Sequence, residues 1–247
     1  MKVLIVGCGN MGGAMLTGWL AGGLPANCFT VVDPILEKAP DGVELLREVP
    51  SAGPVFDAVL LGFKPQQLAE GAAAIAPVAG QGTTILSILA GVDLETLRRR
   101  FPAAGQIVRV MPNLAAALGK SPIALVSEGG AGATPLIDRL VAPLGPAEWL
   151  ANEGLMDLVT ALTGSGPAFV YRFIDALAAG AAALGLPRDQ ADRLALSMVD
   201  GATALAVRAD VNPGELARRV ASPGGTTQKG LDVLDAERNV ADARLQL

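Results

Sequence analysis

Two patterns of hydrophobic and polar positions divide the chain. Through the first part, short β-branched and aliphatic runs recur with little polar alternation, at Lys2 to Val6, Phe29 to Val32, Ala58 to Leu61, Thr84 to Ile88, Gln106 to Val110 and Ile123 to Val126. Such runs predict strands covered on both faces, as in a parallel sheet between helical layers. The segments between them carry helical periodicity, the first ending near Leu20. The uncharged span Gly71 to Val92 is long enough to raise a membrane question, but Pro77, Gly80, Gln81 and Gly82 interrupt it. It reads as helix end, turn and buried strand.

After Trp149-Leu150 the strand pattern stops. Met156 to Thr163 leads into Gly164-Ser-Gly-Pro167, and Phe169 to Leu184 is almost wholly apolar. Phe169, Phe173, Leu177 and Ala181 form one stripe, with Val170, Ile174 and Ala178 beside it, and only Arg172 and Asp175 are charged. A helix apolar nearly all round is buried on more than one side. So short a helical half has too little surface of its own to cover it, which predicts a homodimer. The small-residue run from Ala178 to Ala183 lets helices approach closely. Gly185 closes this helix and Pro187 opens the next, Arg188 to about Arg208. Asn212-Pro-Gly-Glu215 has the arrangement of a capping box and starts a short helix to Val220.

Candidate chemistry begins at the first strand. It runs into Gly7-Cys-Gly9-Asn10-Met11-Gly12 and then a helix, the strand–GxGxxG–helix context of a dinucleotide turn. The first glycine permits the tight turn, the second lets the backbone approach a pyrophosphate, and the third lets helix and strand pack closely. The second strand ends at Asp33, about 20 residues on, where an acidic side chain accepts from a ribose 2′-OH and repels a 2′-phosphate. That favours NAD over NADP. Asp33-Pro34 is equally good as the start of a turn or a helix cap, so both readings stand. Lys64-Pro65-Gln66, Ala90-Gly91 and Asn113 follow later strands, where ligands sit in open α/β sheets, and are expected to line the same cleft. The fold class is therefore α/β: an N-terminal Rossmann-type parallel sheet over residues 1–151, then an all-helical domain over residues 152–247 for dimerisation and substrate binding.

Composition narrows the chemistry. The net charge of −5 comes without Lys/Arg clusters beyond Arg98 to Arg100 and Arg218-Arg219, which argues against nucleic acid and acidic membranes as partners. Histidine is absent, removing the commonest general acid/base and metal ligand, and no metal is expected. Cys8 and Cys28 make neither a disulfide framework nor a zinc spacing, which fits a reducing cytoplasm. The apolar run after Met1-Lys2 stops at Gly7, too short for a signal peptide.

A second glycine turn lies near the C-terminus: Ser222-Pro-Gly224-Gly225-Thr226-Thr227, followed by a helical pattern. Free backbone N–H groups and the helix dipole make such a start an anion site, although a simply capped helix has the same sequence. Since the N-terminal turn accounts for cofactor phosphates, this loop is left for a substrate carboxylate.

With these residues assembled, the chain resembles the pyrroline-5-carboxylate reductases almost end to end. The resemblance rests on Gly7 to Gly12, Gly62-Phe-Lys64-Pro65-Gln66, Ser87-Ile-Leu-Ala90-Gly91, Arg109-Val-Met-Pro112-Asn113, Thr160 to Ala168 and, most specifically, Ser222 to Thr227. It implies reduction of 1-pyrroline-5-carboxylate to L-proline with hydride from NAD(P)H, the last step of proline biosynthesis. It also suggests NADPH, where Asp33 favours NADH, and rings of dimers. The backbone N–H groups of Gly224, Gly225 and Thr226 are expected to hold the substrate carboxylate. The Thr227 hydroxyl bonds the ring nitrogen, a role the resemblance supports, and Ser222 braces the loop. The site is expected where the two halves meet, with the loop from the same chain or a partner.

Two features depart from the family. Leu114-Ala115 replaces the usual Thr-Pro after Met-Pro-Asn, and the sequence ends soon after Asn239, where relatives tend to carry a fuller last helix. Alternative readings are a β-hydroxyacid or 6-phosphogluconate-type dehydrogenase, for which Lys229 would be the base, and a nucleotide-sensing protein without turnover.

Overall fold

A computed structural model describes residues 1–51, 56–128, 132 and 134–236. Asn239, where the departure at the end of the sequence begins, lies outside them. The chain divides into two compact units, Met1–Gly164 and Ser165–Leu247. Residues 152–164, assigned from sequence to the helical domain, fall in the first unit by this division.

The first unit is built on one eight-stranded sheet. Its strands are β1 (Val3–Val6), β2 (Phe29–Val32), β3 (Glu44–Leu46), β4 (Ala58–Leu61), β5 (Thr84–Ser87), β6 (Gln106–Met111), β7 (Ile123–Ser127) and β8 (Ala147–Trp149), in the spatial order β3-β2-β1-β4-β5-β6-β7-β8. Helices α1 (Asn10–Ala21), α2 (Leu68–Ile75), α3 (Leu94–Arg100) and α4 (Pro135–Val141) each connect neighbouring parallel strands. Alternate residues of each central strand enter opposite cores. Leu4 and Val6 pack with Val59, Leu61, Ile85 and Ile107 on one face, and Val3 and Ile5 with Ala58, Leu60, Leu86 and Val108 on the other. Both faces being covered, the strands read as continuous apolar runs. On the second face the Trp19 and Phe29 rings stack at 5.3 Å, and the Trp19 indole N–H donates to the Leu140 carbonyl at 2.5 Å.

The sheet is mostly, not wholly, parallel: β7 runs antiparallel to β6. The apolar run Ile123 to Val126 looks the same in either direction, so its pattern did not distinguish them. What decides is the short connection, whose only helix among the described residues is the 3₁₀ turn Leu114–Leu118. A parallel return needs a crossover of a dozen or more residues.

After the first unit's last short helix, α5 (Met156–Val159), residues Thr160–Ser165 form a wide π-helical turn. The second unit contains α6 (Gly166–Ala183), α7 (Arg188–Arg208), α8 (Pro213–Val220) and α9 (Thr226–Ala236). Helices α6 and α7 pack through Ala178, Ala191 and Ala195, with Ile174, Ala181 and Leu186 partly covered. Asn212 caps α8 by accepting from the Glu215 N–H at 2.9 Å. Only that half of the expected box forms, because the Glu215 carboxylate turns to Arg218 and Arg219. Within the single chain α6 is not buried all round: Phe169, Val170, Tyr171, Phe173 and Leu177 are all exposed. Among the described residues no helix is long and apolar enough to cross a membrane, and no cluster of three or more His, Cys, Asp or Glu could hold a metal.

Candidate dinucleotide cleft and substrate loop

The N-terminal glycine turn is shaped by backbone crowding. Gly7 adopts φ +85°, and its N–H donates to the Val32 carbonyl at 2.9 Å, tying the end of β1 to that of β2. A Cβ on Gly62, at the end of β4, would stand 2.3 Å from the Gly7 carbonyl oxygen, and one on Gly12 would stand 2.7 Å from the same atom. Gly9 differs, since nothing lies within 4 Å of where its Cβ would be. That open face lies at the start of α1, whose first N–H groups have no preceding turn to bond and whose cap Gly9 has no side chain to offer. Asn10 and Met11 are the first residues of this helix.

A cavity of about 600 Å³ opens there, lined by Gly7, Gly9, Asp33, Glu48, Gly62 and Lys64 among others. Lys64 is exposed, and the Gln67 amide oxygen accepts its backbone N–H at 3.2 Å, fixing the turn that Pro65 begins. A second cavity of about 620 Å³ is lined by Cys8, Gly9, Asp33, Ile35, Leu36, Glu37 and Lys38.

Asp33 joins the two cavities, and its carboxylate is anchored. Oδ2 accepts the Cys8 N–H at 2.8 Å, while Oδ1 accepts those of Ile35 and Leu36 at 2.8 and 3.0 Å. Burial pushes its pKa upward, but the three donors and the Arg47 charge outweigh that and hold it below the ordinary value, so the group is ionised. Burial, and secondarily the Asp33 charge, push the Cys8 thiol up to about 11. The turn-capping reading of Asp33 thus describes a contact the structure contains, and one lone-pair position of Oδ2 is left for a ligand.

Sequence reasoning passed over Arg47. Its Nη1 donates to the carbonyl oxygens of Asp33 and Leu36 at 3.0 and 2.7 Å, bracing the turn that Asp33 caps. Its local sequence pattern did not mark it: β3 pairs with β2 in the register Val32↔Leu46, and that pairing places Arg47 beside Asp33.

Two other strand-end residues sit apart from these cavities. Ala90 is exposed in the turn after β5. Asn113 is buried, and its amide is committed within the fold: Oδ1 accepts the Ala115 N–H at 2.9 Å and Nδ2 donates to the Thr163 carbonyl at 2.9 Å. Asn113 therefore fastens the end of β6 to the π-helical turn, where Thr160 and Thr163 hydroxyls bond back to Met156 and Val159.

The second glycine turn belongs to the helical unit. Gly225 donates its N–H to the Ser222 carbonyl at 2.9 Å, with Pro223 and Gly224 between them and Gly224 at φ +71°. Proline at the second position and a positive-φ glycine at the third make this a type II turn. The Gly225 N–H, expected to face a carboxylate, closes the turn instead, because an i to i+3 bond is what folds it. The N–H groups of Thr226, Thr227 and Gln228 then begin α9, where no preceding turn accepts them. Ser222 and Thr227 are exposed.

Residues 153–244 match the family model for pyrroline-5-carboxylate reductase dimerisation, and residues 2–91 one for NADP oxidoreductases described as coenzyme F420-dependent. The chain is 32% identical to the pyrroline-5-carboxylate reductase of Pseudomonas aeruginosa, over 95% of this chain and 89% of the relative. It is 36% identical to that of Aquifex aeolicus over the same shares. Among solved structures, a pyrroline-5-carboxylate reductase from Coxiella burnetii superposes with a TM-score of 0.88 at 26% identity, covering 98% of this chain and 92% of that one.

Proposed function

The chain belongs to the pyrroline-5-carboxylate reductase family, and from that membership we propose that it reduces 1-pyrroline-5-carboxylate to proline with a nicotinamide dinucleotide. The observation that carries the reading is the open Gly9 face at the head of α1, flanked by the anchored Asp33 and by Lys64. It suits a pyrophosphate approached by backbone, with a ribose beside the carboxylate. When bound, the dinucleotide supplies a hydride from its nicotinamide ring.

The protein's own task is positioning. The substrate ring carries one carboxylate and one C=N group. With the imine nitrogen protonated, hydride addition to carbon gives the secondary amine directly, and no strong general acid is needed. Holding two reactants in near-attack geometry contributes roughly 7 kcal/mol or more. A chain without histidine is adequate for that. In our reading the N–H groups of Gly224, Thr226 and Thr227 hold the carboxylate, and the Thr227 hydroxyl accepts from the ring N–H. Ser222, whose carbonyl closes the turn, braces the loop.

Self-association through the helical unit goes with the dimerisation family and with the bare apolar face of α6. The ligands in this reading are small molecules rather than nucleic acid or membrane. The free thiols Cys8 and Cys28 suit a reducing cytoplasm. The test is loss of absorbance from NADH and NADPH on addition of pyrroline-5-carboxylate, with proline identified as product. Dinucleotide binding with no substrate-dependent oxidation would overturn the assignment.

A further inference from the structure

The adenosine end of the cleft has more structure than a strand-end acid alone provides. The Asp33 carboxylate receives three backbone N–H groups, from both the glycine turn and its own turn. Arg47 clamps that second turn from β3 through two carbonyl oxygens. Of about four lone-pair positions on a carboxylate, three are filled, leaving one on Oδ2 that can accept a hydroxyl proton. A phosphate is mostly dianionic at neutral pH, so it brings like charge to the carboxylate and seldom a proton.

The charges around it point the same way. The two cavities that meet at Gly9, Asp33 and Ile35 are lined by Asp33, Glu37, Glu48 and Glu70 against Lys38 and Lys64. Lys38 is already paired with Asp41 at 3.0 Å. Among the described residues no arginine lines either cavity, and the nearby Arg47 is turned to the Asp33 and Leu36 carbonyls. A bidentate guanidinium is the usual partner of a 2′-phosphate.

We propose that the locked Asp33 carboxylate, with Arg47 as the positioning residue that holds its turn, makes this cleft selective for a free ribose 2′-hydroxyl, so that the protein takes NADH in preference to NADPH. The proposal rests on the dinucleotide reading above and goes further by naming the ligand and the residues that choose it.

The test is equilibrium titration of the full-length protein with NADH and NADPH, followed by nicotinamide fluorescence, with AMP and adenosine 2′,5′-bisphosphate as competitors. We expect Kd for NADPH to exceed that for NADH by at least about tenfold at low salt, and AMP to compete better than the bisphosphate. The gap should narrow as ionic strength rises, since like-charge repulsion is screened. Asp33→Ser should erase the preference, and Arg47→Gln should shrink the ratio mainly by weakening NADH. Equal or tighter NADPH binding by the wild-type protein would overturn the proposal, as would a preference unmoved by salt. If a variant fails to fold, the wild-type ratio and its salt dependence still decide. Failure of both dinucleotides to bind is a different result, which would remove the dinucleotide reading and this proposal with it.

Discussion

Helix α6 carries a prediction that can be worked from exposure alone. In the single chain Phe169 is 62% exposed and Phe173 46%, on the same stripe as Leu177 at 39%. Natural monomers seldom leave so continuous an apolar face bare. An aromatic side chain covers about 150–250 Å², so covering the exposed part of Phe169 removes on the order of 120 Å² from water. At ~25 cal/mol per Å² this is about 3 kcal/mol per protomer. A two-fold interface counts it twice, so Phe169→Ala should weaken the dimer by roughly 6 kcal/mol, about four powers of ten in Kd. Folding of the protomer should change little, because the residue touches little within its own chain. Mass photometry over a dilution series, with circular dichroism as the check on folding, separates the two effects. A folded variant whose dimer dissociates at the wild-type concentration would show that α6 does not form the interface.

Other outcomes follow from single contacts. Gly62→Ala should lower thermal stability by about 1–3 kcal/mol and weaken dinucleotide binding. Its new methyl would press on the Gly7 carbonyl from 2.3 Å, and calorimetry together with titration would expose an unaffected protein. Cys8, with a thiol near 11, should alkylate at pH 8 roughly two orders of magnitude more slowly than an ordinary thiol, and peptide mapping after iodoacetamide reads the rate directly. Because folding raises that pKa from 9.0, stability should fall as pH climbs from 9 toward 11, and a flat stability profile there would contradict the burial argument. On the proposed substrate contact, Thr227→Ala removes a hydrogen bond to a charged group, of about 1.5–3 kcal/mol. It should cut kcat roughly tenfold or more with dinucleotide Kd unchanged, and unaltered turnover would take Thr227 out of the mechanism.

How much of this was legible in the sequence depended on whether a residue's partners are near in the chain. The central strands announced themselves because both of their faces are covered. By contrast β3 and β8 are three residues long and only partly covered, so Glu44–Leu46 and Ala147–Trp149 carry no long apolar run to recognise. The type II turn at Ser222–Gly225 is written in Pro223-Gly224, yet its consequence, that the Gly225 N–H is used inside the turn, requires the closed geometry.

Asp33 shows the limit most clearly. Its spacing from the glycine turn supported a ribose contact and its neighbour Pro34 supported a cap. A carboxylate with two oxygens does not have to choose between them: Oδ1 caps the turn while Oδ2 reaches the Cys8 N–H and retains one free position. In the proposed reading capping is what makes selection possible. An acid free to rotate could swing away from a 2′-phosphate, whereas one fixed by three donors would keep its charge at a bound ribose. Arg47 strengthens this from β3, the strand that periodicity missed. On the proposed reading the turn signal and the ribose signal describe one device, and its rigidity comes from a residue whose importance appears only once β3 is paired with β2.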